Sequence, residues 1–226
     1  MAIPAGWGAP ADFAARDLAL VPSPAGSFFR AFRSYHPDPL RFRPAPSRFS
    51  DPAIGRPGAR PFATIYLGES VEVCVLETII RDSGIGLAGG GGIPIAEREL
   101  RSWSLARAAF VPTGVGTGAW TGTKTTVGTG LPGLLDLRAG GTVLHRIPTN
   151  VTGASDHALS RAWAGAIHDH PAAPAGILYP SRLNGQTNLA LFDRAIGALR
   201  IEQVDPLLTL GDELAAVLDR YKVAVV

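Results

Sequence analysis

Five polar side chains of this sequence each stand among apolar neighbours in short segments far apart along the chain. Arg30 lies in Phe28-Phe29-Arg30-Ala31-Phe32 and Arg48 in Ser47-Arg48-Phe49. Tyr66 lies in Ile65-Tyr66-Leu67-Gly68-Glu69-Ser70, with Glu77 downstream. Ser181 lies in Gly176-Ile177-Leu178-Tyr179-Pro180-Ser181-Arg182. Two guanidiniums, a phenol, a carboxylate and a hydroxyl suit an anionic ligand that carries a reactive cationic centre. Singly, four of the five have plain structural readings: a strand-edge arginine, a surface cation, a packed tyrosine, a turn hydroxyl. Glu77 is the exception, because a carboxylate on an apolar helix face needs a partner or a role.

The elements that must position these residues can be sketched from the same sequence. Ser70 is placed to cap a helix over 70–81, with Glu72 complementing its dipole in the first turn. On that helix Val73, Cys74, Ile80 and Arg81 lie three or four positions from Glu77 and share its face. Strands are expected at 28–34, 62–67, 104–111, 131–137, 176–181, 188–192 and 198–204, and further helices at 155–169 and 211–221. Residues 1–25 read as an N-terminal arm with a short helical stretch around 11–20. Residues 36–61 are proline-rich, irregular chain. A glycine-rich loop at 83–93 and a Gly/Thr-rich excursion at 114–130 complete the map. The fold class is mixed α/β, close to α+β: a compact single domain over 26–226 around a central sheet of mostly non-parallel strands.

Composition narrows the function classes. The chain has 226 residues, 46% hydrophobic and 18% charged, below the roughly 25% charged of an average domain, so it can bury a core. A net charge of +2, with no run of five basic residues, gives no case for direct nucleic-acid binding. Lys124 and Lys222 are the only lysines, and arginine is the better fork for phosphate. The single cysteine, Cys74, excludes an internal disulfide and reads as a buried small apolar residue. With no long apolar span and no basic leader, the chain reads as a soluble cytoplasmic protein without a membrane partner.

Several motifs fail on context. Gly84-Ile85-Gly86-Leu87-Ala88-Gly89 matches G-x-G-x-x-G but follows a helix rather than a strand. Thr121-Gly122-Thr123-Lys124-Thr125 lacks the glycine a phosphate loop needs before its lysine. His157, His168 and His170 have neither a cysteine pair nor an H-E-x-x-H spacing, so no metal is expected.

The set as a whole resembles the RES domain family. Gly176 to Arg182, followed by Asn188-Leu189-Ala190-Leu191-Phe192, is similar to the family's glycine–apolar–Tyr–x–Ser–Arg strand and the Ala-Leu-Phe strand after it. Tyr66-Leu67 with Leu76-Glu77 resembles its Tyr-Leu-Ala and Ala-x-x-Glu stretch. Phe29-Arg30, Ser47-Arg48-Phe49 and Leu135-Asp136-Leu137-Arg138 resemble three further segments, in the family's order, over about residues 26–206. Ser47 stands where the family usually has Gly, Gly68 where it has Ala, and the stretch 83–93 looks expanded.

The resemblance implies a fold similar to ADP-ribosyltransferases and a toxin of a toxin–antitoxin pair that consumes NAD+, cleaving the nicotinamide–ribose bond by hydrolysis or, with inorganic phosphate as co-substrate, by phosphorolysis. Glu77 would stabilise the oxocarbenium-like transition state. Arg30 and Arg48 would grip phosphate or ribose groups, Tyr66 would pack against the nicotinamide ribose, and Ser181 would bond the nicotinamide carboxamide or a neighbouring side chain. Arg33 and Arg182 are nearby reserves. The implied partner is an Xre-type helix-turn-helix antitoxin, in a hetero-oligomer or beside a homodimer of the toxin. Two other functions fit the same residues: ADP-ribosyl transfer to a protein, and a non-catalytic partner-binding module.

Overall fold

A computed structural model describes residues 8–41, 44–81, 92–111 and 133–226. Its strands and helices, in chain order, are β1 (Leu20–Val21), β2 (Ser27–Arg33), β3 (Thr64–Gly68), α1 (Val71–Val75), a π-helical turn (Leu76–Ile80), β4 (Ile93–Ile95), α2 (Glu97–Arg101), β5 (Trp103–Phe110), β6 (Leu134–Asp136), α3 (Gly141–Leu144), α4 (Asn150–Gly153), α5 (Ala158–His168), β7 (Gly176–Pro180), β8 (Thr187–Phe192), β9 (Leu199–Pro206), α6 (Asp212–Arg220) and β10 (Val223–Val225). The glycine-rich motif at 84–89, the 121–125 motif and most of the 83–93 loop and 114–130 excursion fall outside the described residues.

Eight strands form one sheet in the order β1-β6-β7-β8-β3-β2-β5-β9. Only β6 and β7 pair in parallel within it; every other neighbour is antiparallel. The mixed sheet expected from the strand pattern is therefore present, and β4 and β10 form a small parallel pair beside it.

The described part of the N-terminal arm is tied to the sheet. Its expected helix is a short 3-10 turn, Phe13–Ala15, and Leu20–Val21 pairs antiparallel with Leu134–Leu135. Phe13 is buried edge-on against Trp163 at 5.1 Å between ring centroids. Burying one large aromatic side chain is worth about 1.5–3 kcal/mol, enough to hold a segment that has little structure of its own.

Period-2 alternation sorts the strand residues between two faces. Ile65, Leu67, Leu178, Leu189 and Leu191 pack together on one. The opposite face carries two clusters. In one, Trp163 and Ile167 of α5 cover Phe49, Ile177, Ala190 and Phe192. In the other, α1, the π turn and α6 cover Ala31 and Leu105. No described helix is long and apolar enough to cross a membrane.

Candidate active site

The sheet is forked at its centre. β2 and β3 pair only at Phe29 and Gly68. Continued antiparallel register would set Arg30 against Leu67, Ala31 against Tyr66 and Arg33 against Thr64. Instead the strands part, and all six of these residues line a cavity of about 440 Å³. Opening a sheet this way takes backbone groups out of the ladder and turns them toward whatever fills the gap. Cys74 sits at the crotch of the fork, where its buried thiol donates to the Phe29 carbonyl at 3.1 Å. Burial raises that thiol to about 12, so it packs as a small apolar group.

Ser70 caps α1 as its sequence position suggested, accepting from the Val73 amide at 3.2 Å. Beyond α1 the helix widens: the Arg81 amide reaches back to the Leu76 carbonyl at 2.9 Å, five residues away. Such π turns recur at functional sites because they re-aim side chains. Here Cys74, Glu77, Thr78 and Arg81 line the cavity, while Val73 and Ile80, expected on the Glu77 face, go to the core. Gly68 lets the helix approach this closely, since a Cβ there would lie 2.3 Å from Val73 Cγ1 and 3.0 Å from Cys74 Sγ.

Glu77 is held from one side. Its Oε1 accepts from Ser181 Oγ at 2.7 Å and from Asn188 Nδ2 at 3.3 Å. Ser181 Oγ also accepts from the Leu183 amide at 3.1 Å, which fixes the hydroxyl rotor toward the carboxylate. Ser181 is 3% exposed and lies behind Glu77 rather than in the cavity wall. Asn188, directly paired with Gly68 across the sheet, is 5% exposed and does line the cavity. Sequence reasoning passed it over; the signal was a lone amide in the otherwise apolar run Asn188-Leu189-Ala190-Leu191-Phe192.

Tyr66 and Arg48 form a second unit. The Tyr66 hydroxyl bonds Ser47 Oγ at 2.9 Å and accepts from the Phe49 amide at 2.8 Å. It thus holds both residues that flank Arg48, and burial raises its pKa to about 12. Arg48 Nη1 donates to the Ala154 carbonyl at 2.8 Å. Burial lowers its pKa against the raising effect of Tyr179 and Glu77 nearby. His157 reaches the cavity beside it, and burial, reinforced by Arg48, Arg81 and Arg182, depresses its pKa. The two histidines near it in the sequence motif are used elsewhere: His168 stacks on Phe62 at 4.0 Å and His170 Nε2 meets the Arg16 carbonyl at 3.1 Å.

Arg30 stands on the far side of the fork. Its Nη2 donates to the Arg41 carbonyl at 2.9 Å, and its Nη1 is buried with no partner among the described residues. An unpaired N–H of a buried cation costs roughly 1–3 kcal/mol or more, so this group has a donor to give. Arg182, by contrast, is exposed and does not line the cavity.

The turn that carries Ser181 is clamped from outside the cavity. Glu69 Oε1 accepts from the Thr187 amide at 2.8 Å, Ser70 Oγ bonds Gln186 Oε1, and Arg138, paired with Asp136 at 2.7 Å, reaches Thr187 Oγ1 at 2.9 Å. Glu72 gathers Tyr221 (2.6 Å), Arg220 (2.8 Å) and Asn184 (3.3 Å), tying α6 and this turn to α1. The Tyr221 hydrogen bond leads the causes that lower the Glu72 pKa. A lowered folded-state value stabilises the fold above the ordinary carboxylate range, near about 4.3, and the gain is lost as pH falls through the folded value. Glu72→Gln should therefore lower the urea midpoint at pH 7, and the gap from wild type should narrow as pH falls below the ordinary carboxylate range. A gap of constant size across that range would remove the charge from the account.

The RES domain model matches residues 27–213. The probable toxin y4kH of Sinorhizobium fredii is 44% identical over 93 residues, 41% of this chain and 73% of that protein. Among solved structures, the M. tuberculosis MbcT–MbcA toxin–antitoxin complex has a chain at 17% identity and TM-score 0.49, with 84% of this chain and 88% of that one covered. A family match over most of the chain, spanning all five residues around the fork, makes this protein a member of the RES domain family.

Proposed function

We propose that this RES domain is the toxin of a toxin–antitoxin pair and that it degrades NAD+ by cleaving the bond between nicotinamide and ribose. The observation that carries the reading is Glu77: a carboxylate fixed by Ser181 and Asn188 at the wall of a cavity that Arg30 and Arg48 also line. The likeness to a relative named a probable toxin supports the biological half.

In this reading the C–N bond breaks with its electron pair passing to the nicotinamide ring nitrogen, which cancels that ring's charge. Positive charge develops on the ribose, and Glu77 stabilises it there. Ser181 and Asn188 act as positioning residues, holding Oε1 so that Oε2 faces the sugar. Water, losing a proton to solvent as it adds, or hydrogen phosphate then adds through oxygen to the same carbon. Arg48 and Arg30 bind the diphosphate, and Tyr66 fixes the Arg48 turn while its ring forms part of the wall. The acceptor, an Xre-type antitoxin as partner, and action in the cytoplasm belong to the same proposal.

Proton NMR of NAD+ with the purified protein, in phosphate and in phosphate-free buffer, tests it. Free nicotinamide is the expected product, and a requirement for phosphate would select phosphorolysis. Intact NAD+ in every tube would overturn the reading. Arg48→Lys should raise the KM for NAD+ by about tenfold, because an ammonium cannot reproduce two parallel hydrogen bonds to phosphate. An unchanged KM would take Arg48 away from the diphosphate.

A further inference from the structure

The cavity has a second end that the cleavage reaction does not use. Glu77 lies over the Gly68–Asn188 pair at the fork. Arg33, at the last residue of β2, is four residues from the fork residue Phe29, about 13 Å away at the ordinary rise of a strand. Arg33, His36 and Trp103 line the cavity at that end.

Arg33 is built as a flat surface rather than as an anion grip. Its guanidinium lies 4.1 Å from the centroid of the Trp103 ring. Two of its N–H groups are committed: Nη2 pairs with Glu99 at 2.9 Å and Nη1 donates to Ser102 Oγ at 2.5 Å. Glu99 also accepts from Trp103 Nε1 at 3.0 Å, so ring and guanidinium are locked to one carboxylate. Hydrogen-bond partners of a guanidinium lie in its plane. With one face toward Trp103 and two N–H groups held by Glu99 and Ser102, the side chain is still 35% exposed and has its other face to offer a ligand. Its charge is matched by Glu99, which disfavours a phosphate there and suits a flat, uncharged ring. Arginine planes stack on such rings, nucleic-acid bases included.

We propose that this end of the cavity is the subsite for the adenine of the dinucleotide, with Arg33 as the stacking platform. The proposal rests on the NAD+ reading above. A ligand whose nicotinamide ribose sits at Glu77 and whose diphosphate meets Arg48 and Arg30 delivers its second base along β2 toward Arg33.

The test compares NAD+ with nicotinamide mononucleotide, which has the same reacting half and no adenylate, and adds binding of ADP-ribose by calorimetry. Arg33→Lys keeps the charge and the Glu99 partner but removes the planar face. The ratio of kcat/KM for NAD+ to that for the mononucleotide should fall about tenfold in this variant, and the loss should sit in KM, as for binding shared by ground and transition states. ADP-ribose should bind the wild type and bind Arg33→Lys more weakly by a similar factor. An unchanged ratio, an equal loss on both substrates, or a wild type that does not bind ADP-ribose would overturn the subsite. If the wild type binds ADP-ribose in an Arg33-dependent manner yet releases nicotinamide from neither substrate, the subsite stands and the cleavage reading falls.

Discussion

Glu77→Gln should lower the rate of nicotinamide release by about 10²–10³-fold while leaving the urea midpoint close to that of wild type. The amide oxygen of glutamine can still accept from Ser181 and Asn188, so the buried donors keep a partner. What disappears is the carboxylate's negative charge at the cavity wall. Glu77→Ala should show the same loss of turnover with a further cost of roughly 1–3 kcal/mol, because the Ser181 hydroxyl and Asn188 amide lose their acceptor. Turnover in Glu77→Gln above a tenth of wild type would remove the carboxylate from the chemical step. The pair of variants thus separates charge from architecture.

Phe49→Ala should destabilise the protein by about 3–5 kcal/mol, read as a lower midpoint in a urea titration. Phe49 is fully buried, packs edge-on to Tyr179 at 4.8 Å, and presents its amide to the Tyr66 hydroxyl. It is the anchor that sinks the Arg48 turn into the α5 side of the core. Truncation leaves a cavity and frees the turn. Phe49→Leu should recover part of the stability and still raise the KM for NAD+, since the ring that sets the turn's depth is gone. A Phe49→Ala midpoint within about 0.5 kcal/mol of wild type would mean that the proline-rich segment holds itself in place.

Much of the scaffold was open to reading because its cause is local. The strand at Thr64–Gly68, the Ser70 cap and the helix at Asp212–Arg220 each follow from alternation, capping chemistry or helical spacing within a few residues. The anomaly of Glu77 was legible for the same reason, as a charge among Val73, Cys74 and Ile80. The fork was not. Whether β2 and β3 stay zipped depends on register between segments more than thirty residues apart, and alternation says nothing of where two strands part. The π turn was also hidden, since Leu76-Glu77-Thr78-Ile79-Ile80 reads as ordinary helix and is widened by how it packs. Tyr66 illustrates the limit most clearly. Its ring was readable as a wall, but its hydroxyl is committed to Ser47 and Phe49, partners that only the folded loop brings near. Ser181 was singled out by motif alone, and the bond from its hydroxyl to Glu77 could not be read from the sequence.

Gly68 has a consequence for anyone who would stabilise this protein by borrowing residues from its relatives. The Tyr-Leu-Ala stretch that this segment resembles has alanine there, and copying that stretch would write one in. In this chain the added methyl has no room, because the stiff Val73 side chain and the Cys74 sulfur already occupy its place. The helix would have to lift, and Glu77 rides on it. A substitution that looks conservative on paper would widen the junction that sets where Glu77 stands in the cavity, so position 68 must be exchanged together with 73 and 74 or left alone.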